Sequence, residues 1–200
     1  KFDACLTFNG SYCFTDEKVI FSNPLSRQDV LCILENTKKM KRAMAINNEN
    51  ILVANGTDDD LETYFSFGGE KVVIADNFEE LCEESIYQIE LSCKESEYEE
   101  ILKGTDSTKV AAWWDKAADL IPSSGGKGMA VQKILDYYGL QKEEAIAFGD
   151  GSNDIDMLTT VGTGIAMGNA LDIVKDVADD VCKSVEEDGV YHYCKEHGLL

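Results

Sequence analysis

The residues best suited to chemistry lie in one short stretch, Phe148-Gly149-Asp150-Gly151-Ser152-Asn153-Asp154. Two carboxylates and a carboxamide follow the apolar run at 145–148, with a glycine on each side of Asp150. Asp150 and Asp154 offer hard oxygen ligands suited to Mg²⁺, which takes one or two carboxylates and leaves its other positions to water and phosphate. Asn153 can donate its amide to a phosphate oxygen. Gly149 and Gly151 permit close backbone approach and positive φ. The plain alternative is an Asx-rich turn capping the next helix. An EF-hand fails, because counted from Asp150 its sixth position is Ile155 and its twelfth is Val161, where Gly and Glu are needed.

A second candidate is Gly125-Gly126-Lys127-Gly128, where a lysine between glycines at a helix start makes an anion site. Its bland reading is a solvated loop lysine. A P-loop fails twice, at Ile121 and at Gly128. Gly162–Ala170 superficially suggests a dinucleotide fingerprint, but its glycines flank a strand and the third is displaced. His192, Cys194 and His197 could form a metal site, and fit an amphipathic last helix better.

These groups need a scaffold, and the pattern after Pro122 supplies one. Residues 127–138 read as a helix closed by Gly139. Residues 145–148 and 163–167 read as short apolar strands typical of a buried parallel sheet. Helices are expected over 155–161, 171–177 and 187–197, and a strand over 179–182. Strict alternation implies right-handed βαβ units in a doubly wound sheet. Ligands of such sheets bind outside the carboxyl ends of the strands, where the Asp150 loop falls.

The earlier part mixes strands and helices in an α+β manner. A buried strand at 4–8, a turn at Asn9-Gly10 and a hairpin about 15–18 come first. Ser26 is placed to cap a helix to Met40 with Val30, Ile33 and Leu34 inward. Residues 43–54 read as strand, turn, strand, and 58–68 are ambiguous. A short strand at 71–74, a short helix to Leu81, a strand at 86–92 and an acidic helix at 95–103 follow. Strands at 109–114 and 117–121 close this part, with Trp113-Trp114 between them.

The 200 residues carry 18 Lys and Arg against 38 Asp and Glu, a net charge of −20. Such a surface repels nucleic-acid backbones and anionic lipid. No apolar run approaches a membrane span. Seven widely spaced cysteines without a C-x-x-C pair indicate buried free thiols in a cytoplasmic protein.

Taken together, Ser124–Leu135, Glu144–Leu158, Gly164–Ala170 and Asp188-Gly-Val resemble the haloacid dehalogenase (HAD) superfamily, specifically its Cof-type phosphatase branch. The resemblance implies an α/β fold: a HAD-like, doubly wound, mostly parallel core, incomplete at its N-terminus, with an inserted α+β cap domain. The core would comprise 1–22 and 122–200, and the cap 23–121. It further implies a Mg²⁺-dependent hydrolase of small phosphorylated metabolites, sugar-phosphate-like, acting through an aspartyl-phosphate. Lys127 would neutralise phosphate and nucleophile, Asp150 would ligate Mg²⁺, Asp154 would support the metal shell or hold Lys127, and Asn153 would contact the phosphate. The family's Asp-x-Asp-Gly-Thr motif and its phosphate-binding Ser or Thr are not found in this sequence. The chain opens without Met inside an expected core strand, so the nucleophile is expected outside it and the core of the isolated chain is expected to be damaged or swapped. The competing expectation is a truncated, non-catalytic module that holds phosphate or Mg²⁺. A monomer or dimer with no nucleic-acid or membrane partner completes the reading.

Overall fold

A computed structural model describes residues 2–200. Lys1, at the head of the expected 1–22 segment, lies outside the described residues. Three short strands come first, β1 (Cys5–Thr7), β2 (Tyr12–Phe14) and β3 (Val19–Ser22), ordered β1-β2-β3 in one sheet. The Thr15 N–H donates to the Lys18 carbonyl at 2.8 Å and closes the expected hairpin. β1 is half-buried, not buried as its apolar sequence suggests. Phe8 and Asn9 behind it take left-handed backbone, with φ of 53° and 50°.

The chain divides into two compact units. One comprises the start of the chain to Cys5, Cys13–Phe21 and Gly126–Leu200, and the other Leu6–Tyr12 and Ser22–Gly125. The second of these contains α1 (Arg27–Met40), β4 (Ala45–Asn47), β5 (Leu52–Ala54), α2 (Asp59–Phe67) and α3 (Phe78–Leu81). After them come β6 (Gln88–Ser92), α4 (Tyr98–Ile101), β7 (Thr108–Trp114) and β8 (Ala117–Pro122). Its five strands pair antiparallel in the order β5-β4-β6-β8-β7. Ser26 caps α1 by accepting the Asp29 N–H at 3.1 Å. Val30, Ile33 and Leu34 of that helix share a buried cluster with Ile46, Ile89, Leu91 and Leu120.

Four local expectations change. The ambiguous stretch is α2, because Asp58 accepts the Leu61 N–H at 2.9 Å and acidic residues favour the first turn. Residues 71–74 form only an isolated bridge from Ile74 to Ala54, with Val73 and Ile74 more than half exposed. The acidic helix shortens to a 3₁₀ turn at Glu95–Glu97 followed by α4. Trp113 and Trp114 lie within β7, not between strands.

Asp29 is buried, and burial alone would raise its pKa. Its bonds from the Asp106 and Ser107 N–H groups and the Ser107 and Thr108 hydroxyls outweigh this and hold it below the ordinary carboxylate value. A depressed pKa stabilises the fold above the unfolded value, near 4, and the benefit is lost as pH falls through the lower folded value. Asp29→Asn is expected to cost about 2 kcal/mol at pH 7. Denaturant unfolding should show that gap closing as pH is lowered below about 4. A gap that persists unchanged at low pH contradicts this account.

The remaining unit carries α5 (Lys127–Tyr138), β9 (Ile146–Gly149), α6 (Ile155–Thr160) and β10 (Thr163–Ala166). It ends with α7 (Asp172–Lys175), β11 (Asp180–Val181) and α8 (Gly189–Glu196). β9, β10 and β11 form a wholly parallel sheet in the order β11-β10-β9. Gly139, at φ 69°, stops α5 where the sequence predicts. Ala147, Leu158, Ala166 and Val174 form a cluster between sheet and helices. The fold is thus α/β, with parallel and antiparallel sheets in separate units. Among the described residues no helix is long and apolar enough to cross a membrane. All seven cysteines are free.

Candidate functional site

Lys127 is the first residue of α5. Gly126 before it takes φ 132°, a conformation that L side chains rarely adopt. Gly128 after it lets α5 press onto α6, since a Cβ there would lie 2.5 Å from the Asp156 carbonyl oxygen. The helix start is thereby fixed against the loop that follows β9.

Lys127 Nζ donates to Asp154 Oδ1 at 2.5 Å. Asp154 Oδ2 accepts the N–H groups of Asp150 and Gly151, each at 3.0 Å. Asp154 is buried, so its charge is balanced by one cation and two backbone donors. The Asx-turn reading is therefore physically present: this carboxylate ties the loop together. Gly149 leaves room for it, as a Cβ there would lie 2.6 Å from Asp154 Cβ. Neither Gly149 nor Gly151 has positive φ, so both are needed for space and not for handedness.

Asp150 stays exposed at the carboxyl end of β9. Its Oδ2 accepts from Asn169 Nδ2 at 2.8 Å, and Asn169 Oδ1 accepts the Val185 N–H at 3.0 Å. β9 and β10 are parallel and in register from Thr163↔Ile146 to Ala166↔Gly149, so both loops leave the same sheet edge. Asn169 is the residue that sequence reasoning missed. Its signal was a carboxamide just past an apolar strand, in a stretch read as a failed dinucleotide fingerprint and as part of the family resemblance, with no role given to the residue. Asn153 sits on the 3₁₀ turn Ser152–Asp154, its Oδ1 2.5 Å from where a Gly151 Cβ would be. Lys127, Asp154 and the Asp150 backbone are thus in direct contact, while the Asp150 carboxylate is held separately by Asn169.

The donor chemistry suits a hard cation held at one point. Among the described residues Asp150 Oδ1 accepts no hydrogen bond, whereas both Asp154 oxygens are engaged by protein donors. Among the described residues no three His, Cys, Asp or Glu side chains converge as a metal cage. At the C-terminal end of α8, His197 stacks on Tyr193 at 4.0 Å between ring centroids.

A lysine and a carboxylate-bearing loop at the carboxyl edge of a parallel sheet define a site for phosphoryl chemistry. The family profile of haloacid dehalogenase-like hydrolases matches residues 1–194. The chain belongs to that family, in its Cof-type branch, and is a HAD-type phosphatase. It is 32% identical over 197 residues to YkrA of Bacillus subtilis (strain 168), which bears a provisional phosphatase name. That match covers 98% of this chain and 76% of YkrA. The 5-amino-6-(5-phospho-D-ribitylamino)uracil phosphatase YitU of the same organism is 44% identical over 95 residues, 48% of this chain and 35% of YitU. The solved structure of the HAD subclass IIB sugar phosphatase BT4131 superposes with a TM-score of 0.89 at 28% identity. It covers 99% of this chain and 76% of that one.

Proposed function

We propose that the protein hydrolyses phosphomonoesters of small, sugar-phosphate-like metabolites through an aspartyl-phosphate, in a Mg²⁺-dependent reaction. The observation that carries this reading is Lys127, held by buried Asp154 beside the loop that presents Asp150. Attack on a phosphomonoester brings two anions together, and a fixed cation lowers the repulsion. Asp154 orients the ammonium group, so little reorganisation accompanies charge development. Asn153 offers an amide to a phosphate oxygen. Asp150, oriented by Asn169, would hold Mg²⁺, which when bound supplies further charge neutralisation on the phosphoryl oxygens. Asp150 and Asp154 are both committed, to the metal and to Lys127, so neither is assigned as the nucleophile.

Residues 23–121 are read as a cap that selects the leaving group, and 1–22 with 122–200 as the core. The names of YitU and BT4131 support a phosphorylated polyol or sugar as substrate class. Seven free cysteines and the −20 charge support a cytoplasmic protein, monomeric or dimeric, that avoids nucleic acid and membrane.

The test is phosphate release by the full-length protein from a panel of sugar, polyol and nucleoside monophosphates, with Mg²⁺ and with EDTA. Release that stops on chelation is expected. No release from any ester overturns the proposal. Mg²⁺-dependent phosphate binding without release would favour a non-catalytic module, the reading that the missing Asp-x-Asp-Gly-Thr motif supports.

A further inference from the structure

Two Asn-Gly pairs occur in the sequence, Asn9-Gly10 and Asn55-Gly56. A glycine after asparagine leaves its own backbone nitrogen open to close approach, because no side chain shields it. That nitrogen can attack the asparagine side-chain carbon, and asparagine is a thermolabile residue for this reason. Whether the attack proceeds depends on how the fold holds the side chain. The two pairs are held in opposite ways.

Asn9 is locked. It takes left-handed backbone, and the Gly10 that follows is buried with φ 87°. Asn9 Nδ2 donates to Gln88 Oε1 at 2.9 Å and to Asp119 Oδ2 at 2.7 Å. Losing this nitrogen as ammonia would break both bonds, one of them to a carboxyl group that is only 3% exposed. Asn55 instead follows β5 in a half-buried segment without regular structure. Its backbone N–H donates to the Met44 carbonyl at 3.0 Å, and its Oδ1 accepts the Met44 N–H at 2.9 Å. The Met44 N–H therefore sits where negative charge gathers when the side-chain carbon is attacked, and a donor at that position stabilises the addition. Among the described residues Asn55 Nδ2 donates to no protein group, and neither does the Gly56 N–H. The leaving nitrogen and the attacking nitrogen are thus both uncommitted. Asn55 also lines a cavity of about 550 Å³, which gives water access to it.

We propose that Asn55-Gly56 is a site of covalent self-modification, at which water converts Asn55 to aspartate or isoaspartate. The Gly56 nitrogen forms a bond to Asn55 Cγ, the Cγ–Nδ2 bond breaks, and Nδ2 leaves as ammonia with the proton of the Gly56 N–H. The product is a five-membered succinimide. Water then opens the ring at either carbonyl carbon. Breaking the bond from the Gly56 nitrogen to Cγ restores the ordinary main chain with aspartate, and breaking its bond to the main-chain carbonyl carbon gives isoaspartate. One water is consumed and one ammonia released, with no oxidation or reduction. Loss of ammonia makes the change one-way, so the altered fraction rises with the age of the molecule. Either product adds a negative charge to a cavity already lined by Asp76, Glu79 and Glu80, where Lys38 is paired with Glu79. Isoaspartate also lengthens the main chain by one carbon next to Ala54, whose carbonyl accepts the Ala75 N–H at 3.0 Å.

Ageing of the full-length protein at mildly alkaline pH, followed by peptide mass spectrometry, tests this. Cleavage after Lys and Arg places the two pairs on separate peptides, 2–18 and 43–71, and fragment masses separate Asn55 from Asn47, Asn48 and Asn50. A gain of about 1 Da, the exchange of NH2 for OH, should accumulate at Asn55 at least about tenfold faster than at Asn9, whose two hydrogen bonds must first be given up. In concentrated guanidinium chloride, where neither side chain is held, the two rates should come within about threefold of each other. Gly56→Ala is the matched variant. Its Cβ would meet only Ala43 Cβ, at 3.8 Å, and Gly56 does not have positive φ, so the variant should fold. The added methyl group shields the attacking nitrogen and should slow conversion at Asn55 by at least about tenfold. Should Gly56→Ala fail to fold, the comparison of folded with unfolded wild type decides alone. The proposal is overturned if the folded protein converts Asn55 no faster than Asn9, if the ratio of the two rates is the same folded and unfolded, or if folded Gly56→Ala converts as fast as wild type. No step involves phosphate release, so the outcome is independent of the proposed hydrolysis.

Discussion

Lys127→Met is expected to lower phosphate release by at least about 1,000-fold, the scale on which loss of a single preorganised charge stabiliser acts. The ammonium is held at 2.5 Å by Asp154, whose side chain is largely buried, so the charge is fixed in place before substrate arrives. The variant also leaves the Asp154 charge with two backbone donors only, and a stability loss of about 1–3 kcal/mol should accompany it. Asp154→Asn separates the two effects. The amide oxygen can still accept from the loop N–H groups, but the ion pair is gone. Its release rate should fall less than that of Lys127→Met, by about 10–100-fold. Steady-state kinetics and thermal unfolding of both variants check the pair. A Lys127→Met protein within a factor of about ten of wild type would show that the lysine serves only to hold the loop.

That ion pair marks how far the sequence could be read. The residues were legible because Gly-Asp-Gly-Ser-Asn-Asp after an apolar run is a rare combination, and the βαβ alternation placed it at a strand end. The bounds of α5 were legible too, because Gly126 and Gly139 need backbone that other residues avoid. The pairing of Lys127 with Asp154 crosses 27 residues; it was expected as one of two alternatives through the family resemblance, and neither local spacing nor periodicity encodes it. Asn169 was hidden, since its role depends on β10 lying beside β9. In the antiparallel sheet, the buried alternation of 88–92 was visible, but which of its residues face polar neighbours depends on the register with β8. The ambiguous 58–68 stretch became a helix through Asp58 capping and through Leu61, Tyr64 and Phe65 finding Ala45, Ala54 and Ala117 to cover. Residues 71–74 failed as a strand for the converse reason. Val72 packs against the α2 cluster, but Val73 and Ile74 find no such cover and stay more than half exposed.

Gly128→Val is the structural counterpart of the Lys127 experiment. A Cβ at position 128 would lie 2.5 Å from the Asp156 carbonyl oxygen, 2.7 Å from its carbon and 2.7 Å from Thr160 Oγ1. Two of these are backbone atoms of α6, so no rotamer change relieves the clash and α5 must move away. Forced separation of a packed helix pair should cost at least about 3 kcal/mol and lower the midpoint of the affected transition by about 6–12 °C. The same movement draws Lys127 off Asp154, so phosphate release should fall even well below that midpoint. Gly139→Ala provides the comparison. Nothing lies within 4 Å of its Cβ, and its φ of 69° is the only obstacle, worth about 1 kcal/mol. It should unfold slightly earlier and hydrolyse normally. The order of the two variants decides the matter: if Gly128→Val is no less stable than Gly139→Ala, close approach of the helices does not position the lysine.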